Sequence, residues 1–263
     1  MEHHETWFSA LLGTFYKNAE NAARAFSWPF NDEGKTLNKA DIGVEHLFGS
    51  ALVLLIVILI AFFSSRRVRE MRTALVPDSK LTLRTFVELL VGATYDMMVG
   101  IMGPKAARFF LPLIGTCAFL ILFSNLLGLI PGFLPPTDKL NTTLAYASII
   151  FVSTHVFGVK EHGLAYFKHF FGPIIKWYAL PLMLLMFCVE IISHLVRPAS
   201  LSIRLMANMT ADHMVLGLFL GLVPFIVPIP MYMLGTLVCI VQTLVFCMLS
   251  TVYISTAIAH EEH

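Results

Sequence analysis

The chain has 263 residues, of which 57% are hydrophobic and 13% charged, and its mean hydropathy is +0.76. Soluble domains average about 25% charged residues, so this composition indicates a protein with several membrane-spanning helices and excludes an ordinary soluble domain. The net charge of +1 gives no indication of nucleic-acid binding. The four cysteines lie in apolar runs without a CxxC pair, which favours buried thiols over disulfides or metal ligands.

The first apolar run follows a mixed amino-terminal stretch. We expect residues 1–43 to form a tail outside the membrane and residues 44–263 to form one membrane domain. The first span is predicted at about 46–63, a length that suits a single crossing. Arginines follow it directly, so the positive-inside rule places this end in the cytoplasm and the amino terminus outside. These arginines are Arg66, Arg67, Arg69 and Arg72.

Two further spans are predicted in the middle of the chain. Residues 79–103 mix apolar and charged side chains, which favours a cytoplasm-side amphipathic helix over a span. The second span is predicted at about 109–130 and the third at about 142–159, with a proline-rich break outside the membrane between them. Lysines follow the third span and again predict a cytoplasmic end.

Three histidines recur every seven residues around the end of the third span: His155, His162 and His169. This spacing raises the possibility of a metal site. Glu161 is the only acidic residue nearby, so a solvated loop is the favoured interpretation.

Two long apolar segments complete the chain, at about 173–223 and 231–259. The prolines of residues 224–230 predict a tight outside turn between them. As a helix, the first segment would be roughly 75 Å long, far more than the roughly 30 Å hydrocarbon core. We therefore predict an all-α fold with about five crossings, in which the last two helices form a steeply tilted hairpin, with kinks offered by Pro181 and Pro198, and the carboxyl terminus is cytoplasmic.

A polar stripe runs along the first of these long helices. Its members advance in steps of three and four and therefore share one face: Glu190, His194, Arg197, Leu201, Arg204, Asn208 and Asp212. Lipid cannot solvate such a stripe, so it must face a partner or a wet cavity. Spacing alone leaves two interpretations of Arg204 open, a fixed charge that meets another chain or a structural arginine paired inside the bundle. Arg197 is interpreted as a snorkelling charge or a counter-ion, and the snorkelling charge is favoured.

The segment RPASLSIRLMANMTADH, with FSNLLGLIPG and PTDKLNTTLAYA before it and VQTLVFCMLSTVYISTAIAHEEH after it, resembles subunit a of the F-type ATP synthase. The resemblance begins at about residue 41. It implies a non-catalytic stator subunit of a bacterial inner membrane, which gives H+ or Na+ access through two offset half-channels to carboxylates on a rotating c-ring. It implies the c-ring, the peripheral-stalk b subunits and membrane lipid as partners, with no nucleic acid, cofactor or metal.

The resemblance also assigns residues to the ion path. Arg204 matches the family's essential arginine between the half-channels. The other matching or candidate positions are Glu190, His213, Asn208, Gln242, Ser200, His194, Asp212 and Asn125. Gly235 stands where the family often has a histidine or glutamate opposite the position of His213. This departure implies an outer half-channel relayed by His213, Asp212, Glu190, His194 and water.

Two other functions compete with this one. A secondary transporter with an intramembrane Arg–Glu site would usually show internal repeats, and none is apparent in the sequence. A membrane-bound metal enzyme that uses the histidines would need clustered ligands, which the sequence lacks.

Overall fold

Five long helices dominate the computed structural model, which describes residues 11–19, 45–68, 82–130, 132–163, 166, 180–222 and 228–258. They are α1 (Glu45–Val68), α2 (Leu83–Leu127), α3 (Leu140–His162), α4 (Leu180–Leu222) and α5 (Pro228–Ile258). A 3-10 turn, Pro136–Asp138, precedes α3. The described residues contain no strand, and each of the five helices is long and apolar enough to cross a membrane. The predicted all-α membrane architecture is confirmed.

The bundle has two ends that matter for the site. We call one end of the bundle the basic end, because Arg66 and Arg67 lie there in the last turn of α1. Helices α1, α3 and α5 end at the basic end, and α4 begins there. The opposite end carries the 3-10 turn, the end of α2 and the start of α5, and we call it the loop end. The predicted features at residues 69–81, 167–179 and 259–263 lie outside the described residues.

Gly103 divides α2 into the two segments that the sequence predicts. Its φ of 77° and ψ of 166° lie outside helical geometry in a region that favours glycine, and Pro104 follows it. The two segments still share one core, because Met98 before the break and Phe110 after it both pack in a buried cluster with Ile254 of α5. The Ser255 hydroxyl donates to the Ile101 carbonyl at 3.4 Å and ties α5 to the break.

Helix α4 runs without interruption for 43 residues, through Pro198. At 1.5 Å per residue it is roughly 65 Å long, so it must tilt or curve to remain in a bilayer. The helix continues past Pro198, and Leu201 and Leu205 of the following turns pack in a buried cluster with Phe246. Helices α4 and α5 are adjacent, as the hairpin requires, and each also packs on a further helix, α4 on α3 and α5 on α2.

Helix α5 begins at Pro228, within the stretch 224–230 that was predicted as an outside turn. A proline is compatible with the first turn of a helix, where its missing N–H would have no partner in any case. Residues 223–227 lie outside the described residues. In the amino-terminal region, residues 11–19 are helical, and the rings of Phe15 and Tyr16 lie 6.4 Å and 6.0 Å from that of Phe48. The boundary at residue 43 stays a prediction.

Candidate functional site

Arg204 lies on the outer surface of α4 and is exposed. Its neighbours on the same face, Ala207 and Ala211, are also exposed, and both are small. Within the described part of the chain the guanidinium forms no ion pair or hydrogen bond, and in particular none with Glu190 or Asp212. The interpretation of Arg204 as a structural arginine paired inside its own bundle therefore finds no support.

One turn beyond Arg204, the polar stripe is joined to α5. The Asn208 amide donates to the Gln242 side-chain oxygen at 2.7 Å, and Gln242 is buried. Interhelical polar bonds in membranes average only about 0.6 kcal/mol, so this bond fixes orientation more than it adds stability. It brings together two of the predicted site residues that are 34 positions apart in the chain.

A cavity of about 170 Å³ lies at the loop end, between α2, α4 and α5. Its polar lining comes from Asn125, Asp212 and His213, and Gly235 and Cys239 also contribute to its wall. The Asn125 amide nitrogen and one Asp212 carboxylate oxygen are buried without a hydrogen-bond partner among the described residues. A polar cavity of this size suits several water molecules, which would satisfy both groups.

His213 is held at this cavity by close packing against Gly128. A Cβ on Gly128 would lie 2.7 Å from the His213 Nε2 atom and 2.8 Å from Pro135, so only glycine leaves room for the imidazole. The ring hydrogen-bonds the Gly128 backbone and interacts electrostatically with Asp138. Gly235 itself lies against Leu129, and among the described α5 residues that line the cavity the only polar side chain is the Cys239 thiol.

The 3-10 turn supplies two site residues that sequence reasoning missed. The Thr137 hydroxyl, which is fully buried, donates to the Asn125 side-chain oxygen at 2.7 Å. The Thr210 hydroxyl of α4 donates to the Asp138 carboxylate. The segment PTDKLN was interpreted as a break outside the membrane and as part of the family resemblance, and no periodic signal marks a turn that folds back onto the helices.

Asp212 connects the loop-end cavity with the outer surface. It lines the cavity and also an open groove between α4 and α5, together with Asn208, Ala211 and Gln242. This groove ends one helical turn from Arg204. Asp212 therefore forms a polar link between the loop-end cavity and the surface beside Arg204.

A second, much smaller cavity lies at the basic end, between α3, α4 and α5. Its volume is about 20 Å³, enough for about one water molecule, and its polar lining comes from Thr154, His155, His194, Arg197 and Tyr253. The Arg197 guanidinium lies 5.5 Å from the centre of the Tyr253 ring. Arg197 therefore packs over an aromatic ring at the cavity, and its interpretation as a snorkelling charge stays a prediction.

Glu190 and His194 belong to this basic-end group. The His194 Nδ1 atom lies 2.9 Å from the Glu190 carbonyl oxygen and 3.4 Å from a carboxylate oxygen of the same residue. The two cavities share no lining residue. His194 therefore lines a different cavity from Asp212 and His213, and the single outer relay expected from all four residues stays a prediction.

Arg204 lies between the two groups along α4. It is ten residues beyond His194 and eight before Asp212, which corresponds to roughly 15 Å and 12 Å of helix. Ser200 is half-buried on α4 and lines neither of the two cavities. The described residues contain no group of three or more His, Cys, Asp or Glu side chains that could hold a metal ion.

His155 was misplaced by sequence reasoning. It lies within α3, half-buried, with its ring centre 5.3 Å from that of His194. The prediction of a solvated loop is therefore wrong for His155. His169 lies outside the described residues. The seven-residue spacing drew attention to the wrong partners, because the neighbour of His155 is on another helix.

Comparison with known proteins assigns the family. Residues 48–255 match the family model of the ATP synthase A chain. The chain belongs to this family. The relatives include ATP synthase subunit a of Sorangium cellulosum, 41% identical over 258 residues that cover 98% of this chain and 96% of the relative. They also include ATP synthase subunit a of Geobacter sulfurreducens, at 41%, and of Geotalea uraniireducens, at 45%, each covering 83% of this chain and 89% of the relative. The resemblance noted in the sequence is confirmed.

Proposed function

We propose that this chain is the ion-translocating stator subunit of a rotary F-type ATP synthase. It is not a catalyst by itself, and it guides H+ or Na+ to membrane-embedded carboxylates on a ring of c subunits. The observation that carries the proposal is the exposed Arg204 between two cavities at opposite ends of the bundle. The name ATP synthase subunit a, which the relatives bear, supports it.

The chemistry of Arg204 follows from its position. A charged side chain at mid-membrane costs about 2.5–3.5 kcal/mol on insertion scales, so an anion from outside the described chain must offset that cost. A guanidinium stays protonated at any working pH and acts as a fixed cation. It favours the ionised form of a carboxylate that passes it, and so makes each passing ring site release its ion.

The two cavities supply the two sides of the path. An ion that enters the loop-end cavity reaches the α4–α5 groove at Asp212 and boards a ring carboxylate there. After almost a full rotation it leaves through the basic-end cavity, near His194. The membrane potential contributes about 2.3 kcal/mol per 100 mV for each charge that crosses. Arg204 blocks the direct route between the cavities, so the crossing requires rotation.

The charged and apolar residues of α1 support an orientation in the membrane and a set of partners. By the positive-inside rule, the arginines at the end of α1 support an orientation in a bacterial inner membrane with the basic end in the cytoplasm and the loop end outside. The exposed apolar side chains of α1, among them Leu55 and Ile58, suit lipid and the membrane helices of the peripheral-stalk b subunits. No nucleic acid takes part, and no cofactor is needed.

The alternative of a secondary transporter requires Arg204 and Glu190 to converge on one substrate. The structure does not favour it, because these residues are 14 positions apart, roughly 21 Å of helix. Glu190 lies beside His194, whereas Arg204 lies on the outer face.

A test of the two-sided path uses cysteine labelling. In a variant without the native cysteines, one of which lines the loop-end cavity, His213→Cys and His194→Cys are introduced singly. Oriented vesicles are treated with a charged, membrane-impermeant thiosulfonate from either side, and mass spectrometry measures modification. We expect residue 213 to react only from outside and residue 194 only from the cytoplasm.

The matched control is Leu205→Cys, since Leu205 is fully buried and lines neither cavity. It should react from neither side. Modification of residues 213 and 194 from the same side would contradict the proposal.

A further inference from the structure

Two histidines from different helices meet at the basic end. The ring centres of His155 on α3 and His194 on α4 are 5.3 Å apart, with an interplanar angle of 76°. The His155 ring also lies 6.0 Å from that of Tyr166 and 4.2 Å from that of Phe151. Tyr166 in turn packs on Gly158, where a Cβ would lie 2.7 Å from its ring, so the approach of the phenol to His155 depends on this glycine.

The two imidazoles are held in the same way. Each Nδ1 atom lies 2.9 Å from the carbonyl oxygen four residues earlier, of Phe151 for His155 and of Glu190 for His194. A carbonyl oxygen only accepts hydrogen bonds, so Nδ1 carries the hydrogen in both rings. Nε2 is therefore the atom at which each ring takes up and gives up a further proton.

The surroundings suit one mobile proton. The Glu190 carboxylate lies 3.4 Å from His194, and the Arg197 cation lines the same cavity, so one negative and one positive charge flank the pair. Two phenols complete the group. Burial raises the pKa of Tyr166, partly offset by Arg197, so its phenol stays neutral at working pH; Tyr253 lies beneath Arg197. Charging both imidazoles would add like charges in contact, which disfavours the doubly protonated state.

We propose that His155 and His194 together form a two-imidazole proton station at the basic-end cavity, in which one proton is shared between the two Nε2 atoms. The inference rests on the proposed function and extends it to a residue of α3. A proton released at Arg204 forms an N–H bond at one Nε2. It then passes to the other ring, directly or through one water, and leaves to the aqueous phase. Each transfer breaks one bond to hydrogen and forms another, while both Nδ1–H groups stay on their carbonyls.

The two-imidazole station determines which ion this half of the path carries. An imidazole relay carries H+ and offers no oxygen cage for Na+, so the station assigns H+ to this half of the path. Wild-type complex should therefore conduct in sodium-free buffer.

The test measures passive conduction through the membrane sector. The whole ATP synthase is reconstituted into liposomes, its catalytic sector is removed, and a potassium diffusion potential drives proton flow in sodium-free buffer. The variants are His155→Gln, His194→Gln and the double variant; glutamine can still donate to the carbonyl but cannot carry a proton. The matched control is His46→Gln, which removes an imidazole from the far end of α1.

We expect each single variant to conduct protons at least tenfold more slowly than wild type. The double variant should conduct no more slowly than the single variant with the lower rate, since the two rings act as a unit. The conduction rate of the wild type should change with the pH on the basic-end side between about pH 5 and 8, where an ordinary imidazole changes charge. The conduction rates of the variants should lose that dependence. His194→Gln carries the same test if His155→Gln does not assemble.

Three results would overturn the station. In the first, both single variants conduct protons at the wild-type rate. In the second, conduction falls by the same factor at every pH. In the third, the loss of conduction in the double variant equals the product of the two single losses. Arg204→Ala, measured in parallel, separates the two proposals. If that variant loses coupled pumping while both histidine variants behave as wild type, only the station is rejected.

Discussion

ATP synthesis driven by an ion gradient falls by about two to four orders of magnitude when Arg204 is replaced by alanine. Removing one partner of a desolvated ion pair typically costs about 3–5 kcal/mol, and each 1.4 kcal/mol is a factor of ten. Without the guanidinium, no fixed positive charge favours the ionised form of a ring carboxylate at the α4–α5 surface. The electrostatic barrier between the two cavities is also lost. The assembled variant should therefore also leak ions passively. Synthesis and leak are both measured in inverted membrane vesicles.

Arg108→Ala is the matched control, because Arg108 is an exposed arginine of α2 that lies outside both cavities. It should make ATP at the wild-type rate. An assembled Arg204→Ala complex that does the same would remove Arg204 from the mechanism.

His213→Gln should lower ATP-driven pumping at least tenfold. His213 lines the loop-end cavity beside Asp212, and no polar group from α5 stands in for it at Gly235. A positioned proton-transfer group typically contributes about 10²–10⁴-fold, so loss of a titratable ring at a narrow point should dominate the flux. The measurement is quenching of a pH-sensitive dye in inverted vesicles, with ATP hydrolysis recorded in the same sample.

Gly128→Ala tests the role of His213 without replacing the histidine. The added methyl would lie 2.7 Å from the His213 Nε2 atom and should displace the ring, so pumping should fall in the same direction as with His213→Gln. Gly115→Ala is the control on the same helix, where nothing lies within 4 Å of the added methyl. Normal pumping by both His213→Gln and Gly128→Ala would exclude His213 from the ion path.

Much of the fold follows from hydropathy and charge. Runs of about 20 apolar residues have few alternatives to a membrane helix, so the five crossings were predictable. Gly103–Pro104 is a local break signal, and the predicted division of α2 falls there. The start of α5 was misjudged, because prolines read as turn residues also suit the first turn of a helix.

The site was predictable only where it follows a single helix. Periodicity placed Glu190 through Asp212 on one stripe, and the bond between Asn208 and Gln242 agrees with the pairing of α4 and α5. Periodicity could not divide the stripe between two cavities, because that depends on which neighbouring helix covers each end. It also could not find His155 or Asp138, whose partners lie on α4, 39 and 72 residues away in sequence.

Disulfide cross-linking in the assembled complex tests most directly whether Arg204 faces another chain. Ala207→Cys is exposed on the face of Arg204, whereas Leu205→Cys replaces a fully buried residue only two positions away. Each is paired with a cysteine placed one helical turn from the ring carboxylate of the c subunit. We predict a cross-linked product with residue 207 and none with residue 205. An assembled complex that yields no product with residue 207, or equal amounts with both, would contradict the account.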